Sequence, residues 1–257
     1  MVTDPGTPQA PSAPPATRGA KPPRPAWPLA TGIVGMLVFV LFGVAVAANV
    51  EHPFTQPLDD WWRALVGATS EAQIQNPIVM LFQEIGQIGG AVLMVILVPG
   101  WLCLIRRWGP SLFAAAAVLG VNSCGSPVAK HLVDRPRPAA DAALGLSGPL
   151  IPVDHGSFHS GHGVSVGILV VAIAAILPVA ARRVWWIIGA VLAIGMIWQR
   201  TFVNAHWISD AIVGVIGGAS ATLLLWWLFW RLLERDRGKP RFRRVKADQP
   251  SEAVARS

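Results

Sequence analysis

The chain has 257 residues, 53% hydrophobic and only 14% charged, with a mean hydropathy of +0.50. A soluble domain of this length carries about a quarter charged residues. Here the apolar residues are gathered in blocks, which excludes an ordinary soluble enzyme and predicts an all-α, polytopic membrane protein. The formal net charge of +7 lies largely in the two tails and in short loops, a placement that serves membrane orientation rather than nucleic-acid binding.

Residues 1–27 are rich in Pro, Ala and Thr and predict a disordered cytoplasmic tail. The first apolar run, Leu29 to Val50, starts too late for a signal peptide and reads as an uncleaved span. Glu51 to Gln87 is a mixed loop in which Leu58 to Val66, with Trp61 and Trp62, forms an amphipathic segment at the interface. The second span is centred on Ile88 to Ile105, with a start as early as Pro77, and ends at Arg106-Arg107. Gly109-Pro110 turns into a third, small-residue-rich span, Ser111 to Ala129. Gly163 to Val179, a basic turn at Arg182-Arg183, Val184 to Trp198 and Ile208 to Trp230 complete six spans in a membrane domain of residues 28–231. Residues 232–257 are a basic cytoplasmic tail. Cys103 and Cys124 both sit in apolar runs and read as small packing residues, not as a disulfide or metal pair.

Both tails, Arg106-Arg107 and Arg182-Arg183 fall on one side of this layout, which is therefore cytoplasmic. Trp residues mark both interfaces, among them Trp101 and Trp185 inside and Trp61 and Trp207 outside. Lys130, Arg135, Arg137 and Arg200 then lie on the outer side, against the rule that orients everything else. They gather with His162 and His206 at one membrane surface.

Three polar stretches carry these residues. In KHLVDRPRP, Lys130 stands at a helix end and Pro136 and Pro138 fix the backbone around Arg137. The pair can hold a phosphoryl group between them, or the long side chains can simply snorkel to the interface. In HGSFHSGHG, Ser160 offers a hydroxyl, Gly161 lets helix-start N–H groups approach an anion, and His162 can protonate a leaving oxygen. His155, His159 and His162 also have the spacing of a metal face, but no carboxylate or Cys completes a ligand set. In RTFVNAHWISD, Arg200 supplies a fork of donors. A helix over Ala205 to Asp210 would stack His206 on Asp210, so that the carboxylate orients the imidazole. The alternative is a His and an Asp that merely cap a helix.

Read together, Lys130 with Arg137-Pro138, Ser160-Gly161-His162, and Arg200 with His206 and Asp210 resemble the three-part signature of the type 2 phosphatidic acid phosphatase family. These are membrane lipid phosphatases whose site is shared with vanadium haloperoxidases and acid phosphatases. The resemblance implies a PAP2-like helical bundle acting on a lipid phosphate or diphosphate at the outer face of the plasma membrane. It implies His206 as nucleophile, Asp210 as its orienting partner and His162 as acid for the leaving group. Lys130, Arg137, Ser160, the Gly161 backbone and Arg200 would bind the phosphate oxygens, and fixed cations would make a metal or other cofactor unnecessary. Polyprenyl diphosphate, phosphatidic acid and phosphatidylglycerol phosphate are the substrates this implies. Two positions depart from the family pattern: His159 stands where Pro is usual, and Gln199 where Ser is usual. A non-catalytic lipid-phosphate binder and a transporter on the same scaffold are the competing functions.

Overall fold

The computed structural model describes residues 23–237 apart from 154 and 155. Most of both predicted tails, and His155, lie outside the described residues, as does the side chain of Cys124. Among the described residues the chain is helical and has no strand. In order, the helices are α1 (Trp27–Ala47), α2 (Gln56–Val66), α3 (Pro77–Gly86), α4 (Ile88–Ala91), α5 (Val98–Leu104), α6 (Trp108–Ala116), α7 (Ser126–Leu132), α8 (Gly161–Ile176), α9 (Val179–Phe202) and α10 (Ile208–Arg237). Wide π-helical turns at Val92–Leu97 and Ala117–Gly125 join α4 to α5 and α6 to α7.

Three of these helices, α1, α9 and α10, are each long and apolar enough to cross a membrane. The pair Pro77–Gly86 and Ile88–Leu104 makes a fourth candidate, bent by 46°. The other two expected spans correspond to shorter apolar helices, Trp108–Val121 and Gly161–Ile176. At about 1.5 Å per residue, α8 is shorter than a hydrocarbon core of about 30 Å. Much of α8 is buried, including Val166, Ile168, Leu169 and Ala172, so it is a central helix clad by its neighbours. Such a helix is apolar all round because protein rather than lipid surrounds it.

Several boundaries differ from those expected, each for a local reason. The helix expected to start as early as Pro77 does start there, with Asn76 Oδ1 capping Ile78 N at 2.9 Å. It then breaks at Gln87, so α3 and the helix that follows are bent by 46° rather than continuing straight. Arg182-Arg183 is not the turn between spans; Leu177-Pro178 is, because Pro178 caps α9 and the arginines lie in its first turns. The last helix continues past Trp230 to Arg237, since Leu233 joins the apolar core and Asp236 Oδ2 accepts from Gly109 N at 2.8 Å.

Helices α8 and α10 meet at backbone distance, and that contact builds the site. Gly163 and Gly167 on one helix face Gly214 and Gly218 on the other. A Cβ at Gly167 would stand 2.4 Å from the Val215 carbonyl oxygen, and one at Gly218 would stand 2.2 Å from that of Val164. Small residues spaced by four on both helices permit this approach. It brings the start of α8, with Ser160 to His162, beside the start of α10, where the Ser160 N–H donates to the Asp210 carbonyl at 3.2 Å.

Candidate active site

The end of α9 and the start of α10 are joined by a tight turn. Asn204 takes a left-handed conformation (φ 52°), which Asn tolerates better than most residues. Its amide donates to the carbonyls of Ala68 at 3.0 Å and Ser147 at 2.8 Å. The N–H groups of Ala205 and His206 both donate to the Arg200 carbonyl at 3.2 Å. His206 is thus fixed to the helix end that carries Arg200.

His206 lies in this turn and α10 begins only at Ile208, so the helical stacking of His206 on Asp210 expected from their spacing does not form. Instead, His206 Nδ1 meets the Ser157 carbonyl at 2.7 Å. The two Asp210 oxygens are taken by Arg135 Nη1 at 2.8 Å and the Ser157 hydroxyl at 2.6 Å. Asp210 therefore reaches the imidazole through Ser157 rather than directly. With Nδ1 donating to a carbonyl, Nε2 carries the lone pair, and it faces Arg137 Nη1 at 3.3 Å. Arg137 is held in turn by the Ala205 carbonyl at 2.5 Å.

A second imidazole has a parallel setting. His162, in the first turn of α8, presents Nε2 to Arg200 Nη1 at 3.0 Å. Its ring lies over Gly86, where a Cβ would stand 2.1 Å from His162 Cδ2; only glycine leaves room for it. The charges of Lys130, Arg137 and Arg200 act on both His162 and His206. Ser160 caps α8, its Oγ accepting from Gly163 N at 3.2 Å, and Gly161 begins the helix. Lys130, Arg137, Arg200 and the two imidazoles are therefore close enough to act on one another, with the start of α8 beside them. Burial, then the charges of Arg137, Arg200 and Lys130, push His206 well below its ordinary pKa of 6.5, against the opposing bond to Ser157. The arrangement offers a neutral imidazole lone pair within a field that attracts an anion.

Arg200 is buried and held by Gln199, one of the two departures from the family pattern, and by Gln83, which the sequence reading did not single out. Its Nε donates to Gln199 Oε1 at 2.6 Å and its Nη2 to Gln83 Oε1; Gln199 Nε2 also donates to Gln83 Oε1 at 3.2 Å. Arg135, expected among the cations at this surface, instead bridges Asp59 and Asp210 at 2.8 Å each and also donates to Ser209 and Gln56. Asp59 comes from α2, whose polar face turns inward while Leu58, Trp61 and Leu65 remain exposed. Gln83, a polar residue within the apolar run of α3, was the available signal for one of these partners. The Ser157 carbonyl had none, since every residue has such an oxygen.

His159 does not join the pocket's hydrogen bonds. Its ring stands edge-on to Phe39, 5.2 Å between centroids, and lines an apolar cavity of about 260 Å³ with Met36, Val164 and Gly217. It and His162 therefore have different surroundings, and His155 of the same trio lies outside the described residues. No group of three metal-ligating side chains occurs among the described residues.

The profile of the PAP2 superfamily matches residues 111–234. No curated protein sequence matches the chain. Among solved structures, the fold is similar to the crystal structure of a transmembrane PAP2 type phosphatidylglycerolphosphate phosphatase from Bacillus subtilis. The TM-score is 0.58 at 22% identity, over 83% of this chain and 99% of that one. Lys130 to Asp210 fall within the matched segment, whereas Asp59 and Gln83 lie before it.

Proposed function

We propose that this chain, whose residues 111–234 match the PAP2 superfamily, is a membrane phosphatase that removes a phosphate group from a lipid phosphate or diphosphate. The observation that carries the reading is the facing of His206 Nε2 to Arg137 and His162 Nε2 to Arg200 within one three-cation pocket. Lys130, Arg137, Arg200, the Ser160 hydroxyl and the Gly161 N–H would bind the phosphate oxygens. His206 Nε2 would attack phosphorus, forming a phosphohistidine as the P–O bond to the leaving group breaks. His162 would give its proton to that departing oxygen.

An arriving phosphate competes with His162 for the Arg200 Nη1 donor, and release of that bond frees His162 Nε2 to carry a proton. In the second half-reaction, water attacks the phosphohistidine and His162 takes the water's proton. Phosphate leaves, and His206 regains its lone pair. Fixed cations stabilise the equatorial oxygens, so the scheme runs without metal. Asp210 would act as a positioning residue through Ser157.

In the membrane, α1, the bent α3–α5 segment, α6–α7, α8, α9 and α10 would make six crossings, with both termini cytoplasmic and the pocket opening outward. The cytoplasmic placement follows from the short basic loops. Phosphatidylglycerol phosphate, phosphatidic acid and polyprenyl diphosphate are the substrates to test. Purified protein in detergent should release phosphate from at least one of them, in the presence of chelator, and His206→Ala should release none. A folded wild-type protein silent across that panel would overturn the enzyme reading and favour a lipid-phosphate binder.

A further inference from the structure

The other end of α10 carries a second gathering of positive charge. A helix of its length separates the two ends by about 45 Å at 1.5 Å per residue. Here Arg106, Arg107, Arg182, Arg183, Arg235 and Arg237 are accompanied by two carboxylates, Glu234 and Asp236. The sequence beyond Arg237 adds Lys239, Arg241, Arg243, Arg244 and Lys246 before the next acid, Asp248.

Two of these arginines converge on one oxygen. Arg182 Nη2 donates to the Ala175 carbonyl at 3.4 Å and Arg237 Nη2 donates to the same carbonyl at 3.0 Å. Arg237 also meets Glu234 at 2.5 Å, and Asp236 is engaged by Gly109 N. Glu234 offsets part of the repulsion between these two arginines, and an added anion beside them would offset more.

Beside this cluster lies a cavity of about 680 Å³ between α5 and the α8–α9 turn. Its walls include Leu97, Trp101, Leu177 and Val179, and its charged lining residues are Arg107 and Arg237. Leu97, Trp101 and Val179 are exposed at its mouth. An inorganic anion would meet the arginines but leave the apolar groove empty. A soluble acidic partner would not use a groove in the apolar belt. A molecule with one phosphate and long hydrocarbon chains satisfies both halves.

We infer that this groove is a binding site for an anionic phospholipid of the leaflet opposite the phosphatase pocket, its phosphate on Arg107 and Arg237 and an acyl chain along Leu97, Trp101 and Leu177. The lipid joins α5 to the α8–α9 turn and the end of α10. It is a structural ligand and not a substrate, because no histidine lines the groove.

The test uses full-length protein, purified in detergent and stripped of lipid, with thermal unfolding and native mass spectrometry as readouts. Phosphatidylglycerol should raise the melting temperature and stay bound, whereas phosphatidylcholine with the same chains and inorganic phosphate should do neither. Arg107→Gln with Arg237→Gln should weaken phosphatidylglycerol binding by about tenfold or more, the loss expected for charge-assisted contacts. Arg137→Gln, in the phosphatase pocket, should leave that binding intact. Leu177→Trp fills the groove without changing charge and should also weaken binding, which covers the case of a double variant that fails to fold. Equal stabilisation by phosphatidylcholine or by inorganic phosphate would overturn the site, as would loss of binding in Arg137→Gln but not in Leu177→Trp.

Discussion

Arg135 and Arg137 are separated by one proline, and the regions they serve differ in kind. Arg135 is buried between Asp59 and Asp210, with Ser209 and Gln56 taking further donors. Its charge is more than balanced by two carboxylates, and it links α2, the loop before α8 and α10. Arg137 is half-buried and meets His206 Nε2 and a backbone carbonyl. It belongs to a pocket where Lys130 and Arg200 add further positive charge. Arg135 closes a buried ion-pair network that can rigidify the bundle end, while Arg137 stands beside an imidazole, where its charge can act on an anion. Identical side chains are thus given different surroundings: Arg135 meets two carboxylates, and Arg137 meets an imidazole of the proposed site.

The largest expected effect belongs to the pocket. His206→Ala should leave the protein folded and lower turnover by about 10⁴-fold or more, the scale of a lost nucleophile. A variant that kept even a tenth of wild-type phosphate release would remove the phosphohistidine from the mechanism. Next comes the contrast itself. Arg135→Met strands two buried carboxylates and should cost about 3–5 kcal/mol of stability, read as a fall in melting temperature. Arg137→Gln should instead lower kcat by about a hundredfold or more, as loss of a transition-state donor does, with little change in melting temperature. If the two variants exchanged these phenotypes, the division between scaffold and chemistry would be wrong.

Gln83 lies between the two regions in its effects. It touches Arg200 and Gln199 rather than the pocket opening, so Gln83→Leu should loosen the guanidinium without deleting it. About tenfold lower kcat/KM is expected, carried mainly by KM if Arg200 binds the ground-state phosphate. Gln83→Glu, which keeps an acceptor for Arg200, should recover part of the loss. A substitution that lowered only the melting temperature would reduce Gln83 to packing.

The residues proposed to carry the chemistry could be picked out because each motif is short and its members are fixed by local backbone: a helix end and prolines for Lys130 to Arg137, a helix start for Ser160 to His162. What supports them could not. Asp59 and Arg135 come together from distant parts of the chain, and the Ser157 carbonyl has no identity in sequence. The direct His206–Asp210 contact was misread because spacing implies shared direction only within a helix, and the helix starts after His206. Hydropathy located the apolar segments well. It misplaced the α8–α9 turn because two arginines outweigh a Leu-Pro pair on a hydropathy scale, while the backbone obeys the proline.

The smallest effect separates burial from charge at His206. Its folded pKa is depressed well below 6.5, with burial the largest cause and the three cations next. In the unfolded chain the imidazole returns to about 6.5. Below that pH the unfolded state binds a proton that the folded state refuses, so the stability from this residue is present above about pH 6.5 and lost as pH falls toward the folded value. The slope is at most about 1.4 kcal/mol per pH unit for one group. Unfolding in detergent between about pH 7.5 and pH 5 should therefore be steeper for wild type than for His206→Ala. Inorganic phosphate bound in the pocket offsets the cations but not the burial, so it should flatten the wild-type slope without abolishing the difference from His206→Ala. A slope unchanged by phosphate would mean that burial alone holds the imidazole neutral, and that the field of Arg137, Arg200 and Lys130 is spent on the anion rather than on the nucleophile.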